Sequence, residues 1–262
     1  MVGVTTHAFN GARPLSGKYP LVVLSAGWSK PRMTLTSLAT ELVSHGYIVA
    51  LIGHPYEDSG ETLANGQTSS CPFCTAPMPD LDTVTASRAL DVSFVLDQLT
   101  HGNRAWPLAH LIDKHDIGMA VVDRRRGGRP DDGRRPAHTG RGEPGRHLPP
   151  GPGTRAPAVH DARRGLDRVT QRHRHVMGRS LERPRRLQEV ADRRRCRHGS
   201  FTDLPVLTEQ AGFPVPPELS PERGVEITRD YVAAFFDQRL KGVHSTLLDG
   251  PSAANPEVHF QS

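Results

Sequence analysis

The sequence predicts an α/β fold with a doubly wound, mostly parallel sheet whose central part is disrupted. Short apolar runs alternate with amphipathic helical stretches over the first 120 residues, and this alternation is typical of parallel sheets. An arginine-rich segment then interrupts the pattern, and one more amphipathic helix follows near the C-terminus. A chain of 262 residues is long enough to form one large domain of this class.

The first strand, helix and strand form one crossover unit. Tyr19–Ser25 is a continuous apolar run, which predicts a strand buried on both faces. Thr34–Ser44 carries apolar residues at spacings of three and four, and Gly46 follows as a helix C-cap. Tyr47–Ile52 is apolar and β-branched again. A right-handed crossover therefore connects two parallel strands.

A second crossover follows a loop that spans Tyr56–Asp82. Thr85–Leu99 has helical apolar spacing. Ile112–Ala120 is interpreted as a polar turn that leads into a strand at Ile117–Ala120. After the arginine-rich segment, Val225–Leu240 is predicted as the last amphipathic helix.

The segment Val121–Arg197 differs from the rest of the chain in composition. It holds 22 arginines against nine acidic residues, a net charge of +13, whereas the remainder has a net charge of −8. It contains no Lys, Ile, Asn or aromatic residue, so all 14 aromatic side chains lie outside it. The sequence pI of about 9.4 therefore does not describe the folded part, and a basic-protein interpretation of the whole chain is excluded.

An out-of-frame translation explains this composition, because CGN, GGN and CCN codons dominate a shifted GC-rich coding region. Permissible codons for Leu187–Arg193, shifted by one base, encode Tyr-Lys-Lys-Trp-Leu-Thr-Val, which has the pattern of an apolar strand. We therefore predict three parts: residues 1–120 as the N-terminal half of the domain, 121–197 as a frameshifted, disordered segment, and 198–262 as the C-terminal part.

The alternative is a genuine insert that binds RNA or another polyanion through its positive charge. This alternative is disfavoured because the segment contains no aromatic residues on which bases could stack. Histidines in and around the segment raise a metal hypothesis, but only His173 and His175 are closely spaced, so we expect no metal site. The histidines considered are His115, His138, His147, His160, His173, His175 and His198.

The sequence shows no export signal and no run near the roughly 18 apolar residues that span a bilayer. We therefore expect no membrane span. Of the three cysteines, Cys71 and Cys74 form a lone CxxC motif without a second pair, and Cys196 stands apart. A local disulfide or two free thiols is favoured over zinc.

The stretch from Leu38 to Gly60 resembles the helix, strand and His-Pro-Tyr turn of α/β-hydrolases in the branch of platelet-activating-factor acetylhydrolase and actinobacterial lipase-like enzymes. Gly53 stands where that family usually has Asp. The similarity covers Tyr19–Ala120 and resumes at His198. It implies an α/β-hydrolase-like sheet and hydrolysis of a small-molecule or lipid ester, with no metal or organic cofactor and no specific nucleic-acid partner. Such relatives are often secreted, so the true start is open, as is the oligomeric state.

Two candidate site residues follow from the resemblance. The turn Ser25–Ser29 corresponds to the family's oxyanion turn, which implies that the backbone N–H of Trp28 is an oxyanion donor. The run His198–Asp203 is similar to the catalytic-histidine motif, which implies that His198 is the general base. Judged without the resemblance, Trp28 is an apolar loop residue and His198 a turn histidine, and both alternatives stay open.

The nucleophile that the family requires is missing from the sequence. Gly-x-Ser-x-Gly is expected after the strand that ends near Ala120, but no such motif occurs in the chain. The shifted frame would supply the serine near Val122 and the triad Asp near Arg146. We therefore predict an inactive ester hydrolase. The polar residues of the second crossover helix, Arg88, Asp91 and Asp97, are interpreted as a solvated helix face.

Overall fold

The computed structural model describes residues 8–58, 60–63, 65–74, 81–100, 106–121, 198–215 and 219–260. Most of the arginine-rich segment, and with it the predictions for residues 122–197, lies outside these described residues. The described stretches contain three strands and four α-helices: β1 (Tyr19–Ser25), α1 (Thr36–Ser44), β2 (Ile48–Ile52), α2 (Leu81–Thr100), β3 (Ile112–Val121), α3 (Leu204–Gln210) and α4 (Pro221–Leu240).

The strands form one parallel sheet in the order β2–β1–β3. The chain passes from β1 through α1 to β2 on one side, and then through α2 to β3 on the other side of β1. This reversal of direction creates a topological switch point at β1. The predicted α/β class with a parallel sheet is confirmed.

β1 is the centre of the core. Leu21 and Val22 are fully buried, and Val23 and Leu24 are each 1% exposed. Val22 and Leu24 pack in a cluster with α1 and α4, whereas Leu21 and Val23 pack in a cluster with α2. Because helices cover both faces of the strand, its central positions, Leu21 to Leu24, are all apolar. This is why the continuous apolar run predicted the bounds of β1 correctly.

β3 is longer than predicted. It begins at Ile112, and the polar residues that were interpreted as a turn belong to the strand range. Pro20 of β1 pairs with Asp113, whereas the next residue, Leu21, pairs with Ile117, so the register shifts at this point. Ile112 is 1% exposed and anchors the start of the strand. An irregularity of this kind hides a strand from pattern analysis, because it breaks the apolar alternation.

The helices begin at residues other than those predicted. A 3₁₀ turn occupies Arg32–Leu35 before α1, and α2 begins at Leu81, four residues before the predicted start. α4 begins at Pro221, where the side chain of Ser220 accepts the N–H of Arg223 at 3.2 Å. The first turn of a helix favours residues that cap its free N–H groups, and these residues need not follow the apolar spacing of the helix. Apolar periodicity therefore misses the start of a helix.

The parts on either side of the arginine-rich segment share one core. Phe236 of α4 is 2% exposed and lies in the cluster that contains Val22 of β1. Asp237 of α4 accepts hydrogen bonds from the hydroxyl of Tyr47 at 2.8 Å and from the His45 ring at 2.7 Å. α4 therefore packs directly on elements that lie more than 100 residues earlier in the chain.

The contact between β3 and α4 can be tested at Gly118. A Cβ at this position would lie 2.6 Å from Cε1 of Phe236 and 3.1 Å from Cδ1 of Leu240, and the buried ring has little room to move. We expect Gly118→Ala to lower the free energy of unfolding by about 1–3 kcal/mol, measured by urea denaturation. Gly250→Ala is the matched control, since nothing lies within 4 Å of its Cβ position. Equal stabilities of the two variants would contradict the packing.

Candidate active site

The carboxyl ends of the three strands meet at one edge of the sheet. Ser25, the last residue of β1, pairs with Ile52 at the end of β2 and with Val121 at the end of β3. Open parallel sheets bind their ligands at this edge, beside a switch point. The segments that follow Ser25, Ile52 and Val121 are therefore the candidates for a site, and the last of them lies outside the described residues.

A tight turn, here called the β1 turn (residues 25–30), follows the central strand. The N–H of Lys30 donates to the carbonyl of Gly27 at 3.0 Å, and Ser29 has a φ of +61°. In a trans peptide the carbonyl and the next N–H point in opposite directions, so the Trp28 N–H points away from Lys30. Among the described residues no acceptor lies on this N–H. A backbone donor for a ligand oxygen requires this geometry.

A hydrogen-bonded chain of three side chains, which the sequence did not predict, begins at Ser25, the first residue of the β1 turn. The Ser25 Oγ lies 2.9 Å from Nε2 of His54, and Nδ1 of His54 lies 2.6 Å from Oδ2 of Asp91. The carboxylate accepts from Nδ1, which leaves Nε2 to accept the Ser25 hydroxyl. The sequence did place the two residues close together, because Ser25 ends β1 and His54 follows β2, and these strands are neighbours in the sheet.

These three side chains have the order of a nucleophile, base and orienting acid, but their exposure is reversed. Ser25 is 1% exposed and His54 is 4% exposed, whereas the Asp91 side chain is 41% exposed. A nucleophile must face its substrate, and here the hydroxyl is the buried end. The chain therefore serves better as a link between β1, the end of β2 and α2 than as a catalytic triad.

The prediction of a solvated face on α2 is wrong for Arg88. The Asp91 side chain is 41% exposed, as predicted, although it also accepts a hydrogen bond from His54. The Arg88 side chain is 11% exposed; its Nη1 donates to the carbonyl of Ala26 and its Nε to Glu57, both at 2.7 Å. Its guanidinium carbon also lies 6.0 Å from the centroid of the Trp28 ring. Arg88 therefore faces the β1 turn and the loop after β2 instead of water. Asp97 is exposed, as predicted.

The loop after β2 contributes further buried charges. Glu61 is 6% exposed, and its carboxylate forms an ion pair with Arg32 and occupies the space where a Cβ at Gly53 would lie. Asp58 is 2% exposed. Burial raises the pKa of the Asp58 carboxyl, and the nearby guanidinium groups of Arg32 and Arg88 only partly offset this effect. The loop therefore buries two carboxylates, those of Asp58 and Glu61, close to the guanidinium of Arg32.

The His198 segment is anchored to the start of α1. His198–Phe201 forms a 3₁₀ turn, and the N–H of Asp203 donates to the carbonyl of Thr34 at 2.8 Å. The Asp203 carboxylate accepts the N–H of Ser37 at 2.9 Å and also the Ser37 hydroxyl. The residue before α1 provides no side-chain cap, so Asp203 caps this helix from a distant part of the sequence. The structure describes the backbone of His198 but not its side chain.

Cys71 and Cys74 form a disulfide, one of the two favoured alternatives for this motif. Among the described residues no group of three or more His, Cys, Asp or Glu side chains is arranged to hold a metal ion.

No helix in the described ranges is long and apolar enough to cross a membrane. The closely spaced His173 and His175, and the positions Val122 and Arg146 predicted for the nucleophile and the triad Asp, lie outside the described residues.

The parallel sheet with helices on both faces has an α/β-hydrolase-like fold. The family model for platelet-activating factor acetylhydrolase, isoform II, matches residues 3–68. A probable 1-alkyl-2-acetylglycerophosphocholine esterase from Arthroderma benhamiae is 25% identical over 92% of this chain. The match spans 66% of that relative, slightly less than two thirds of its length.

A solved structure provides the third comparison. The ferulic acid esterase from Streptomyces cinnamoneus superimposes with a TM-score of 0.63 and 27% sequence identity, covering 96% of this chain and 76% of that one. The three comparisons together support a similarity to α/β-hydrolase-like platelet-activating-factor acetylhydrolases and esterases.

The long-range cap of α1 is open to a direct test. Asp203→Ala removes the acceptor for the Ser37 N–H, and we expect it to lower the free energy of unfolding by about 1 kcal/mol. Thermal or urea unfolding measures the change, and Asp203→Asn, which keeps an acceptor, is expected to lose less. The control is Asp249→Ala, because this exposed carboxylate meets only the exposed His244 at 3.0 Å. A loss no larger than that of the control would contradict the capping role.

The buried Asp58 carboxyl should make the stability of the fold depend on pH. A carboxyl whose pKa is higher in the folded than in the unfolded state destabilises the fold when it ionises, as pH rises through the two values. Asp58→Asn should therefore raise the free energy of unfolding at pH 7. The gain should vanish well below the ordinary Asp pKa of about 3.9, where the carboxyl is protonated in both states. Denaturation at several pH values measures this, and a gain that is constant with pH would refute it.

Proposed function

We propose that this chain carries the framework of a serine-type carboxylic-ester hydrolase. The observation that supports it most is the β1 turn, where the Trp28 N–H lacks an acceptor among the described residues. This turn begins at Ser25, which pairs with Val121 at the end of β3. A nucleophile that follows β3 would come close to that donor. Both named relatives are esterases, which agrees with an ester substrate.

The proposed mechanism is acyl transfer to water. A serine after β3 attacks the ester carbonyl while His198, the general base, takes the hydroxyl proton. The carbonyl oxygen becomes an oxyanion that accepts the N–H groups of Trp28 and of the residue after the serine. His198 then protonates the leaving alcohol, and a water molecule activated by the same imidazole releases the acid. An Asp holds the imidazole in the required tautomer.

The proposal includes an out-of-frame translation of residues 121–197. The sequence that follows β3 is Val122-Asp123-Arg124, and no Gly-x-Ser-x-Gly motif occurs elsewhere. In the restored frame the serine falls near Val122 and the triad Asp near Arg146. As it stands the chain lacks its nucleophile and is inactive. Residues 1–120 and 198–262 then form two parts of one hydrolase domain, which the packing of Phe236 against the β1 cluster supports.

The substrate we propose is a small-molecule or lipid carboxylic ester. The proposed steps use only protein groups, so they require no metal or organic cofactor. The alternative function, polyanion or RNA binding through the arginine-rich segment, receives no support from the three comparisons. Most of the segment lies outside the described residues, and no structural observation favours that alternative.

Hydrolysis of p-nitrophenyl acetate tests the proposed function. The chain as it stands should show essentially no turnover above the uncatalysed rate, because removing a triad nucleophile leaves only binding and the oxyanion donors. A version whose coding DNA is returned to frame across residues 121–197 should hydrolyse the ester. His198→Ala in that version should lower kcat by a factor of about 10⁴ or more.

Two outcomes would contradict the proposal in different ways. Hydrolysis by the unaltered chain that His198→Ala abolishes would show that the chain holds a nucleophile, so the frameshift would be unnecessary. A frame-restored version that folds but does not hydrolyse short esters would overturn the ester-hydrolase function itself. Resequencing the coding DNA between the codons for Gly118 and Gly199 is the control for both.

A further inference from the structure

One face of α2 holds the β1 turn. Arg88 reaches the turn directly, because its guanidinium donates to the Ala26 carbonyl at 2.7 Å and lies over the ring of Trp28. The same guanidinium donates to the Glu57 carboxylate at 2.7 Å, so it also ties the turn to the loop after β2. A single side chain therefore contacts the residues on both sides of Gly27.

The bond to the Ala26 carbonyl sets a direction as well as a distance. In the trans peptide between Ala26 and Gly27, the Gly27 N–H must point away from Arg88. The next carbonyl, that of Gly27, is fixed by the N–H of Lys30 at 3.0 Å. These two hydrogen bonds fix two consecutive peptide planes, and the Trp28 N–H belongs to the second of them. Its orientation thus depends on Arg88 and Lys30 together.

A second contact of the same helix acts through two intermediates. Asp91 lies three residues after Arg88, so the two side chains share one face of α2. Its carboxylate accepts from His54 at 2.6 Å, and His54 accepts the hydroxyl of Ser25 at 2.9 Å. Ser25 directly precedes Ala26. The helix therefore holds two consecutive residues of the β1 turn, one through His54 and one directly.

Stability alone does not account for an ion pair at this place. The Arg88 and Glu57 side chains are 11% and 13% exposed, so both charges have lost most of their hydration. Replacing a buried ion pair by packed apolar residues is often neutral or stabilising. An apolar pair cannot donate a hydrogen bond to the Ala26 carbonyl. This carbonyl needs a donor from the protein, because Ala26 is only 2% exposed. Orientation of the backbone is the property that this arginine supplies.

We propose that Arg88 and Asp91 are positioning residues that hold the Trp28 N–H toward the carboxyl edge of the sheet. The proposal rests on the proposed function in one respect, since it takes this N–H as the donor to the substrate's carbonyl oxygen. Neither residue is assigned a contact with the substrate. Arg88 acts through the Ala26 carbonyl, and Asp91 acts through His54 and Ser25.

The test uses the full chain with Trp106→Phe, which leaves Trp28 as the single tryptophan of the two in the sequence. The test variants are Arg88→Gln and Asp91→Asn. Arg239→Gln is the control for the arginine, because the Arg239 guanidinium carbon lies 5.8 Å from the Phe235 ring on α4. Asp97→Asn is the control for the acid, because Asp97 is exposed on the same helix.

Two readouts report on the β1 turn without requiring catalysis. Hydrogen exchange of the Lys30 amide, measured by NMR, should accelerate by about tenfold or more in Arg88→Gln, because a hydrogen bond from a charged donor is lost. Asp91→Asn should give a smaller increase, since it acts through two links. Acrylamide quenching of Trp28 fluorescence should increase in Arg88→Gln. Arg88→Lys should restore part of the quenching protection but not the exchange protection, since one ammonium lacks the fork that spans Ala26 and Glu57.

Unchanged Lys30 exchange in both test variants, relative to their controls, would overturn the proposal. Exchange that rises only in proportion to a loss of global stability, measured by thermal unfolding, would also overturn it, because that is a structural role. If Arg88→Gln does not fold, Glu57→Ala decides the matter: it removes one of the two anchors of the guanidinium, and a local rise in Lys30 exchange is again expected.

A separate measurement distinguishes a failure of the positioning proposal from a failure of the proposed function. Acetate, a carboxylate product of ester hydrolysis, should shift the ¹⁵N–¹H signal of the Trp28 amide, and Arg88→Gln should weaken this binding about tenfold while Arg239→Gln leaves it unchanged. If acetate does not move the Trp28 signal in the unsubstituted protein, the donor role in the proposed function is wrong, and the positioning proposal falls with it. If acetate binds equally well to Arg88→Gln, only the positioning proposal fails.

Discussion

The burial of β1 on both faces is the constraint on which the rest of the structure depends. Helices from both sides of the sheet pack on its alternate residues, and parallel strands flank both of its edges. β1 and both of its neighbours end at the same level of the sheet. The pairing of Ser25 with Ile52 and with Val121 brings three loop origins to one edge. The location of the candidate site is therefore a consequence of how the core is covered.

The polar residues below that edge follow from the same constraint. The chain leaves β1 while it is still buried, so the carbonyl of Ala26 and the hydroxyl of Ser25 need partners within the protein. Arg88 and His54 supply them. The Arg88 charge must itself be paired, which accounts for the Glu57 carboxylate, and the Nδ1–H of His54 needs an acceptor, which Asp91 provides. Each polar group of the network is therefore present because the group before it needs a hydrogen-bond partner, and the first of these groups belong to the buried residues Ser25 and Ala26.

The sequence predicts what depends on local pattern and misses what depends on which surface a helix faces. The bounds of β1 were correct because a strand covered on both sides is apolar throughout. Arg88 was misjudged, because helical spacing marks a residue as polar but does not distinguish water from a buried loop as its partner. The hydrogen bond between His54 and Ser25, and the Asp203 cap of α1, join residues far apart in sequence, and no periodicity contains that information.

The two halves of an acyl-transfer site depend on different parts of this chain. The donor half is the β1 turn with its supports, and all of these lie between Tyr19 and Thr100. The nucleophile half must follow β3, and its histidine follows the arginine-rich segment. In the proposed function, an altered frame confined to residues 121–197 would remove the serine and the acid, but it would remove none of the groups that contact the β1 turn. A structured donor site can therefore persist without the nucleophile, because its hydrogen bonds satisfy buried groups of the core and do not depend on catalysis.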